Sequence, residues 1–147
     1  MAGELLLDTS ALVGLLDRSQ NIHKPCVDFY RTWNGRVVTT EAVLTESTHL
    51  LSEVSHGSTA CIDFILNGNI VLVPSTEVSL LRCRNLMEKY FDLPMDFADA
   101  TLVVLAEELN SNLIFTADRD FNVYRIRGRK QFQVFPEQNN LTPGSSR

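Results

Sequence analysis

The stretch DFADATLVVLAEELNSNLIFTAD, residues 96–118, decides the fold. Its first half predicts an apolar helix over 96–110, and its second half, NLIFTAD, predicts a buried strand. Carboxylates bracket both elements: Asp96 and Asp99 at the helix start, Asp118 at the strand end. An aspartate at a helix start is commonly a cap. One at a strand end is commonly a turn residue. The question is whether other acids of the chain point at the same place.

Working outward, ELLLD (4–8) is a short apolar run that ends in a carboxylate and reads as another buried strand. TSALVGLLD (9–17) and HKPCVDFYRTW (23–33) have helical spacing, with Pro25 tolerated in a first turn. RVVTT (36–40) follows the Asn34-Gly35 break as a strand, and EAVLTESTHLLSEV (41–54) is a helix capped by Thr39 or Thr40. A short helix (58–68), the strand NIVLVP (69–74) and the helix 76–90 complete the middle. After Asp118 come a helical turn, DFNVYR, and a weak fifth strand, QFQVFP (131–136). Strands alternating with helices imply an α/β protein with a mostly parallel sheet covered on both faces. One domain, residues 1–136, accounts for the pattern, with 137–147 a polar, frayed tail. In such sheets ligands bind beyond the carboxyl ends of the strands. Asp8 and Asp118 both sit at such ends.

The net charge of −5 and a pI near 5.1 argue against bulk attraction to nucleic acid. Cys26, Cys61 and Cys83 lack metal or disulfide spacing and read as small buried residues. His23, His49 and His56 share no ligand spacing and read as surface residues. No apolar run suits a membrane span and no leader precedes MAGELLLD, so a cytoplasmic protein with no membrane partner is expected.

Asp8, Glu46, Asp99 and Asp118 lie on four different elements. Four acids meeting at one rim of a sheet would repel strongly unless a divalent cation neutralised them. Oxygen-only ligands select Mg²⁺ or Mn²⁺, and such ions support hydrolysis of phosphoesters. Each acid alone is more often a cap, a turn or a surface residue. Composition and periodicity leave both readings open.

At these residues the chain resembles the PIN-domain family, and more closely the VapC-type ribonuclease toxins. The matching stretches, LLLDTSALVGLLD, VVTTEAVLTESTHLL, MDFADATLVVLAEELN and LIFTADRDF, occur in the family's order. The resemblance implies a three-layer α/β/α sandwich and a Mg²⁺- or Mn²⁺-dependent endoribonuclease that leaves 5′-phosphate and 3′-hydroxyl ends. It implies Asp8, Asp99 and Asp118 as metal ligands, with Glu46 completing the catalytic set and Ser10 as a supporting hydroxyl. Asp96 is a cap or a supporting acid, Asp120 a further supporting acid, and Thr116 a hydrogen-bonding residue within the site. A homodimer and a small cognate antitoxin are implied as partners, with the apolar helices 11–16 and 43–54 as surfaces for them.

RNA would need cations, and Arg119, Arg125, Arg127, Arg129 and Lys130 cluster just after Asp118. A solvated loop is the plain alternative. Tyr124 is a candidate to stack a base, whereas Phe121 reads as core. Three rival functions stay open: an RNA-processing nuclease without an antitoxin, a phosphatase with an aspartate pair after the first strand, and a silent binding module. Ser10 stands where the second phosphatase aspartate belongs, and the four acids weigh against a silent module.

Overall fold

The structure, a computed structural model, describes residues 3–137. The tail expected at 137–147 lies, from residue 138 on, outside the described residues. In chain order the elements are β1 (Leu5–Leu7), α1 (Thr9–Leu16), α2 (His23–Thr32), β2 (Val37–Thr40), α3 (Glu41–Leu50), α4 (Gly57–Asn67) and β3 (Val71–Val73). They continue with α5 (Glu77–Lys89), α6 (Phe97–Leu109), β4 (Leu113–Phe115), β5 (Arg125–Ile126), β6 (Lys130–Gln131) and β7 (Gln133–Phe135).

Five strands form one parallel sheet in the order β3-β2-β1-β4-β7. The chain builds outward from β1 through β2 to β3, then crosses to the other side of β1 for β4 and β7. Strand order therefore reverses between β1 and β4, and the crevice beyond their carboxyl ends is where such a sheet takes ligands. Asp8 follows β1 directly, and Asp118 stands three residues beyond β4.

The period-two alternation of the strands divides the core. Leu6, Val38 and Ile114 face one side, where they pack with Val103, Leu86 and Val43 from α6, α5 and α3. Leu5, Leu7, Val37 and Phe115 face the other, against Leu12, Cys26, Cys61 and Ile65 from α1, α2 and α4. Helices cover both faces, giving the three-layer α/β/α sandwich. Close packing demands Gly14 on α1, because a Cβ there would lie 2.9 Å from Ile22 and 3.1 Å from the sulfur of Cys26. Among the described residues no helix is long and apolar enough to cross a membrane.

The boundaries have local causes. Thr40 caps α3 by accepting from the Val43 N–H, as the sequence suggests. That helix stops at Leu50 rather than 54, and Leu51–Glu53 continue as one 3₁₀ turn that keeps Leu51 fully buried. Asn110 ends α6 in the left-handed region, which asparagine tolerates, and the Ser111 N–H closes the last turn on the Ala106 carbonyl. An element without a sequence forecast is the antiparallel β5–β6 hairpin. Its turn places Arg127 and Gly128 both at positive φ, with the Arg129 N–H on the Ile126 carbonyl.

The apolar helices 11–16 and 43–54 divide their side chains, with Leu15, Leu16 and Leu44 half-buried. Ala11, Leu12 and Val13 are spent on the core, as are Val43 and Leu51, although Leu50 is exposed. The most exposed apolar side chains are Val78, Leu81 and Phe91, on and just after α5, and Leu66 on α4.

Candidate metal centre

Asp8 sits at the N-cap position of α1 with an extended backbone, yet its side chain makes no capping bond. Its N–H still pairs with the Phe115 carbonyl, which holds the residue in the plane of the sheet. The carboxylate turns instead to Thr116, whose hydroxyl donates to Asp8 Oδ2 at 2.6 Å. Thr116 ties the two strand ends together. It spends its only proton on Asp8, so its oxygen accepts from the Asp118 N–H at 2.9 Å and from the Ser10 hydroxyl at 3.0 Å. Ser10 Oγ in turn accepts from the Ala117 N–H at 2.9 Å. Ser10 and Thr116 are thus joined in one network that fixes the loop after β4 against the start of α1.

Asp99 lies in the first turn of α6, with its own N–H accepted by Asp96 Oδ1 at 2.8 Å. Asp96 is the N-cap of that helix, as its place in the sequence favours, and its side chain is exposed. Asp118 does two things. One oxygen accepts from the Asp120 N–H at 2.9 Å and starts a 3₁₀ turn over Arg119–Asn122. Asp118 also joins Asp8 and Asp99 in a cluster where one carboxylate oxygen from each lies within 4.8 Å of the others. Glu46 stands beside Asp8 and accepts from the buried Thr9 hydroxyl at 2.7 Å. Asp120 is half-buried at the edge, its carboxyl raised by burial and by the charge of Asp118.

Burial lifts Asp8 from 3.8 to about 7, against the hydrogen bonds from Thr116 and the Thr9 backbone, with the charges of Asp118 and Glu46 adding to the rise. Burial likewise lifts Asp99 to about 8, helped by the charges of Asp8, Asp96 and Asp118 and opposed by the Tyr124 hydroxyl. The charged groups acting on these two carboxyls are all acids. A site of oxygen donors, half-withdrawn from water and crowded with like charge, has the chemistry of a hard divalent cation site.

Two residues at or near the site had not been read correctly or at all. Tyr124, proposed above to stack a base, is fully buried and donates its hydroxyl to Asp99 Oδ2 at 3.1 Å. Phe121 is core, as expected. Glu107, buried two turns along α6 from Asp99, accepts both Arg82 Nε at 3.0 Å and Arg82 Nη2 at 2.8 Å. It also accepts the Arg127 N–H at 3.0 Å, which holds that left-handed residue in place. Burial pushes Glu107 up, but the hydrogen bonds and charges of Arg82 and Arg127 bring it below the usual range. The available signal was an acid within LVVLAEEL, where an apolar helix face demands a partner for it.

The basic segment divides. Arg125 folds its guanidinium onto the carbonyls of Asn122, Val123 and Tyr124, and Arg127 reaches the Glu107 carbonyl at 2.8 Å. Arg129 and Lys130 stand exposed on the hairpin, and Arg119 is exposed beside Asp118. The histidines take no part in the cluster, His23 instead bonding the Gly14 carbonyl through Nδ1 at 2.8 Å. All three cysteines are buried free thiols, pushed up to about 12 for Cys26 and about 11 for Cys61 and Cys83 by desolvation, hence inert.

Residues 5–126 match the family model described as PIN domain. Curated proteins give no match. Among solved structures, VapC20 of Mycobacterium tuberculosis, described as a sarcin-ricin loop cleaving toxin, superposes with a TM-score of 0.76 at 17% identity. That match covers 81% of this chain and 93% of the other. VapBC2 from Rickettsia felis, bound to a DNA fragment from its promoter, gives 0.62 at 12% identity over 89% and 98%. A toxin–antitoxin complex from Klebsiella pneumoniae gives 0.58 at 14% identity over 78% and 87%. At such identities the structures establish a shared fold.

Proposed function

The chain belongs to the PIN domain family, and from that premise we propose that it is a divalent-metal-dependent endoribonuclease, the toxin of a toxin–antitoxin pair. The observation that carries the reading is the convergence of Asp8, Asp99 and Asp118 from three separate elements to within 4.8 Å. Two of these acids are buried, and folding them together ionised without a counter-charge costs free energy that protonation or a bound cation returns. Asp8, Asp99 and Asp118 are the proposed ligands of Mg²⁺ or Mn²⁺, and Glu46 is the fourth catalytic acid, oriented by Thr9. A divalent ion held there supplies a Lewis acid for phosphate oxygens and a lowered pKa for water. Asp8 is kept in place by Thr116, which Ser10 buttresses, while the Asp120 N–H fixes Asp118. Asp96 sets the start of α6 and so the height of Asp99.

RNA is the proposed substrate. Of the five cations in the segment after Asp118, Arg129 and Lys130 are the first candidates for phosphate contact, because Arg125 and Arg127 are held by the chain itself. Replacing Arg129 and Lys130 together with alanine is expected to weaken binding of single-stranded RNA uniformly across sequences. The slope of log K against log salt should fall by about 1.4, or roughly 0.7 for each lost phosphate contact. Fluorescence anisotropy at several salt concentrations checks it, and an unchanged slope would remove the hairpin from the RNA path. A cognate antitoxin is a proposed partner by analogy with the toxin–antitoxin neighbours, and a homodimer is the proposed assembly that the family resemblance implies.

The activity is tested on a mixed transfer- and ribosomal-RNA pool with Mg²⁺, with Mn²⁺ and with EDTA. Discrete fragments with 5′-phosphate ends that disappear in EDTA are the expected result. Intact RNA under both metals, with a folded protein free of any antitoxin, would overturn the nuclease reading in favour of a binding module.

A further inference from the structure

We infer that Tyr124 is the positioning residue for Asp99, its buried hydroxyl fixing the carboxylate in the orientation that binds a divalent cation. The inference depends on the metal reading of the acidic triad. Each of the three acids takes a hydrogen bond from a neutral donor: Asp8 from the Thr116 hydroxyl, Asp118 from the Asp120 N–H and Asp99 from the Tyr124 hydroxyl. Neutrality matters. An arginine or lysine in any of these places would cancel the charge that attracts a cation, whereas a hydroxyl orients the carboxylate and leaves its charge intact.

The second donor is a turn amide two residues from its acid, and the first reaches Asp8 across neighbouring strand ends from 108 residues along the chain. The third comes from 25 residues further along the chain. Tyr124 is fully buried, and its ring meets Phe121 edge-on at 5.0 Å and Tyr90 at 5.1 Å and 68°. The backbone is held as well. Its N–H bonds the Asp120 carbonyl, and the next amide, from Arg125, donates to the Tyr90 hydroxyl at 3.1 Å. A ring clamped on two edges delivers its hydroxyl to one point, with only two side-chain torsions to fix. Thus α5, through Tyr90, and the segment after Asp118 jointly set the geometry of an acid that belongs to α6.

Titration calorimetry with Mn²⁺ alone, on the wild type, Tyr124→Phe, Ser111→Ala and Asp99→Asn, tests this without any cleavage assay. Tyr124→Phe keeps the ring and is expected to weaken Mn²⁺ binding about 10-fold. Ser111→Ala loses a part-buried hydroxyl bond, to the Glu4 carbonyl at the opposite end of β4, and is expected to bind as the wild type does. Equal affinity in the wild type and Tyr124→Phe would overturn the inference while the metal reading stands. Equal weakening in Tyr124→Phe and Ser111→Ala would overturn it too, since the loss would then be general loosening of the fold. A wild type that binds Mn²⁺ no better than Asp99→Asn would take down both.

Discussion

Asp99→Asn is expected to abolish RNA cleavage and, in EDTA, to make the protein more stable than the wild type. The first half follows from ligand chemistry. An amide oxygen is a poor substitute for a carboxylate on a hard cation, and loss of one of three anionic ligands is expected to lower the cleavage rate at least about 10³-fold, or roughly 4 kcal/mol of barrier. The second half follows from the environment of the acid. Asp99 is buried among Asp8, Asp96 and Asp118, all of which disfavour its charge. Asparagine has the same shape, still accepts from the Tyr124 hydroxyl and carries no charge to desolvate. Near pH 8 in EDTA the melting temperature of Asp99→Asn should exceed that of the wild type by about 3 °C or more.

Saturating Mn²⁺ is expected to reverse the order, because a ligand that binds only the folded wild type raises its stability by RT ln(1 + [L]/Kd). Thermal melts of the two proteins with and without Mn²⁺ check this crossover. Lower stability of Asp99→Asn in EDTA would mean that the carboxylate has a structural task. The cluster would then be a device of folding rather than of catalysis. Sites that do chemistry are commonly the ones a fold would be more stable without.

The fold was legible where its signals are local. Leu5-Leu6-Leu7, the apolar run of α6 and the strand at Leu113–Phe115 announce a buried parallel sheet, and the capping residues Thr40 and Asp96 stand where the helices begin. Asp8 was legible for a different reason: a carboxylate directly after three buried leucines has few uses unless something receives it. What could not be read depends on pairs far apart in the chain. Thr9 with Glu46 spans 37 residues, and Tyr124 with Asp99 spans 25. No periodicity encodes either. The β5–β6 hairpin escaped notice because its strands have two residues each, too short for alternation to register, and its shape is set by Glu107 from another element. The basic segment shows the limit of counting charges. Arg125 and Arg127 look free for RNA in the sequence, yet each has its guanidinium on backbone carbonyls.

Metal-free protein is expected to lose stability as pH rises from about 5 to 8.5, and Mn²⁺ to restore it most at the alkaline end. Asp8 and Asp99 have folded-state values of about 7 and about 8, against 3.8 for the ordinary side chain. A raised carboxyl means that the folded state holds protons which the unfolded chain releases. The stability from this source is complete below the unfolded value and is lost as pH climbs through the folded values. Without metal the melting temperature should therefore fall by at least about 5 °C between pH 5.5 and pH 8.5. A cation competes with the same protons. Below about pH 7 both acids must be deprotonated for it to bind, so about two protons leave for each ion taken up, and affinity rises steeply with pH. Calorimetric titration of Mn²⁺ at pH 6.5, in buffers of different ionisation enthalpy, counts those protons directly. Between one and two protons released would locate the cation on Asp8 and Asp99 together. A count near zero would mean that both acids are already ionised in the folded protein, and that the cluster is held apart by water rather than by burial.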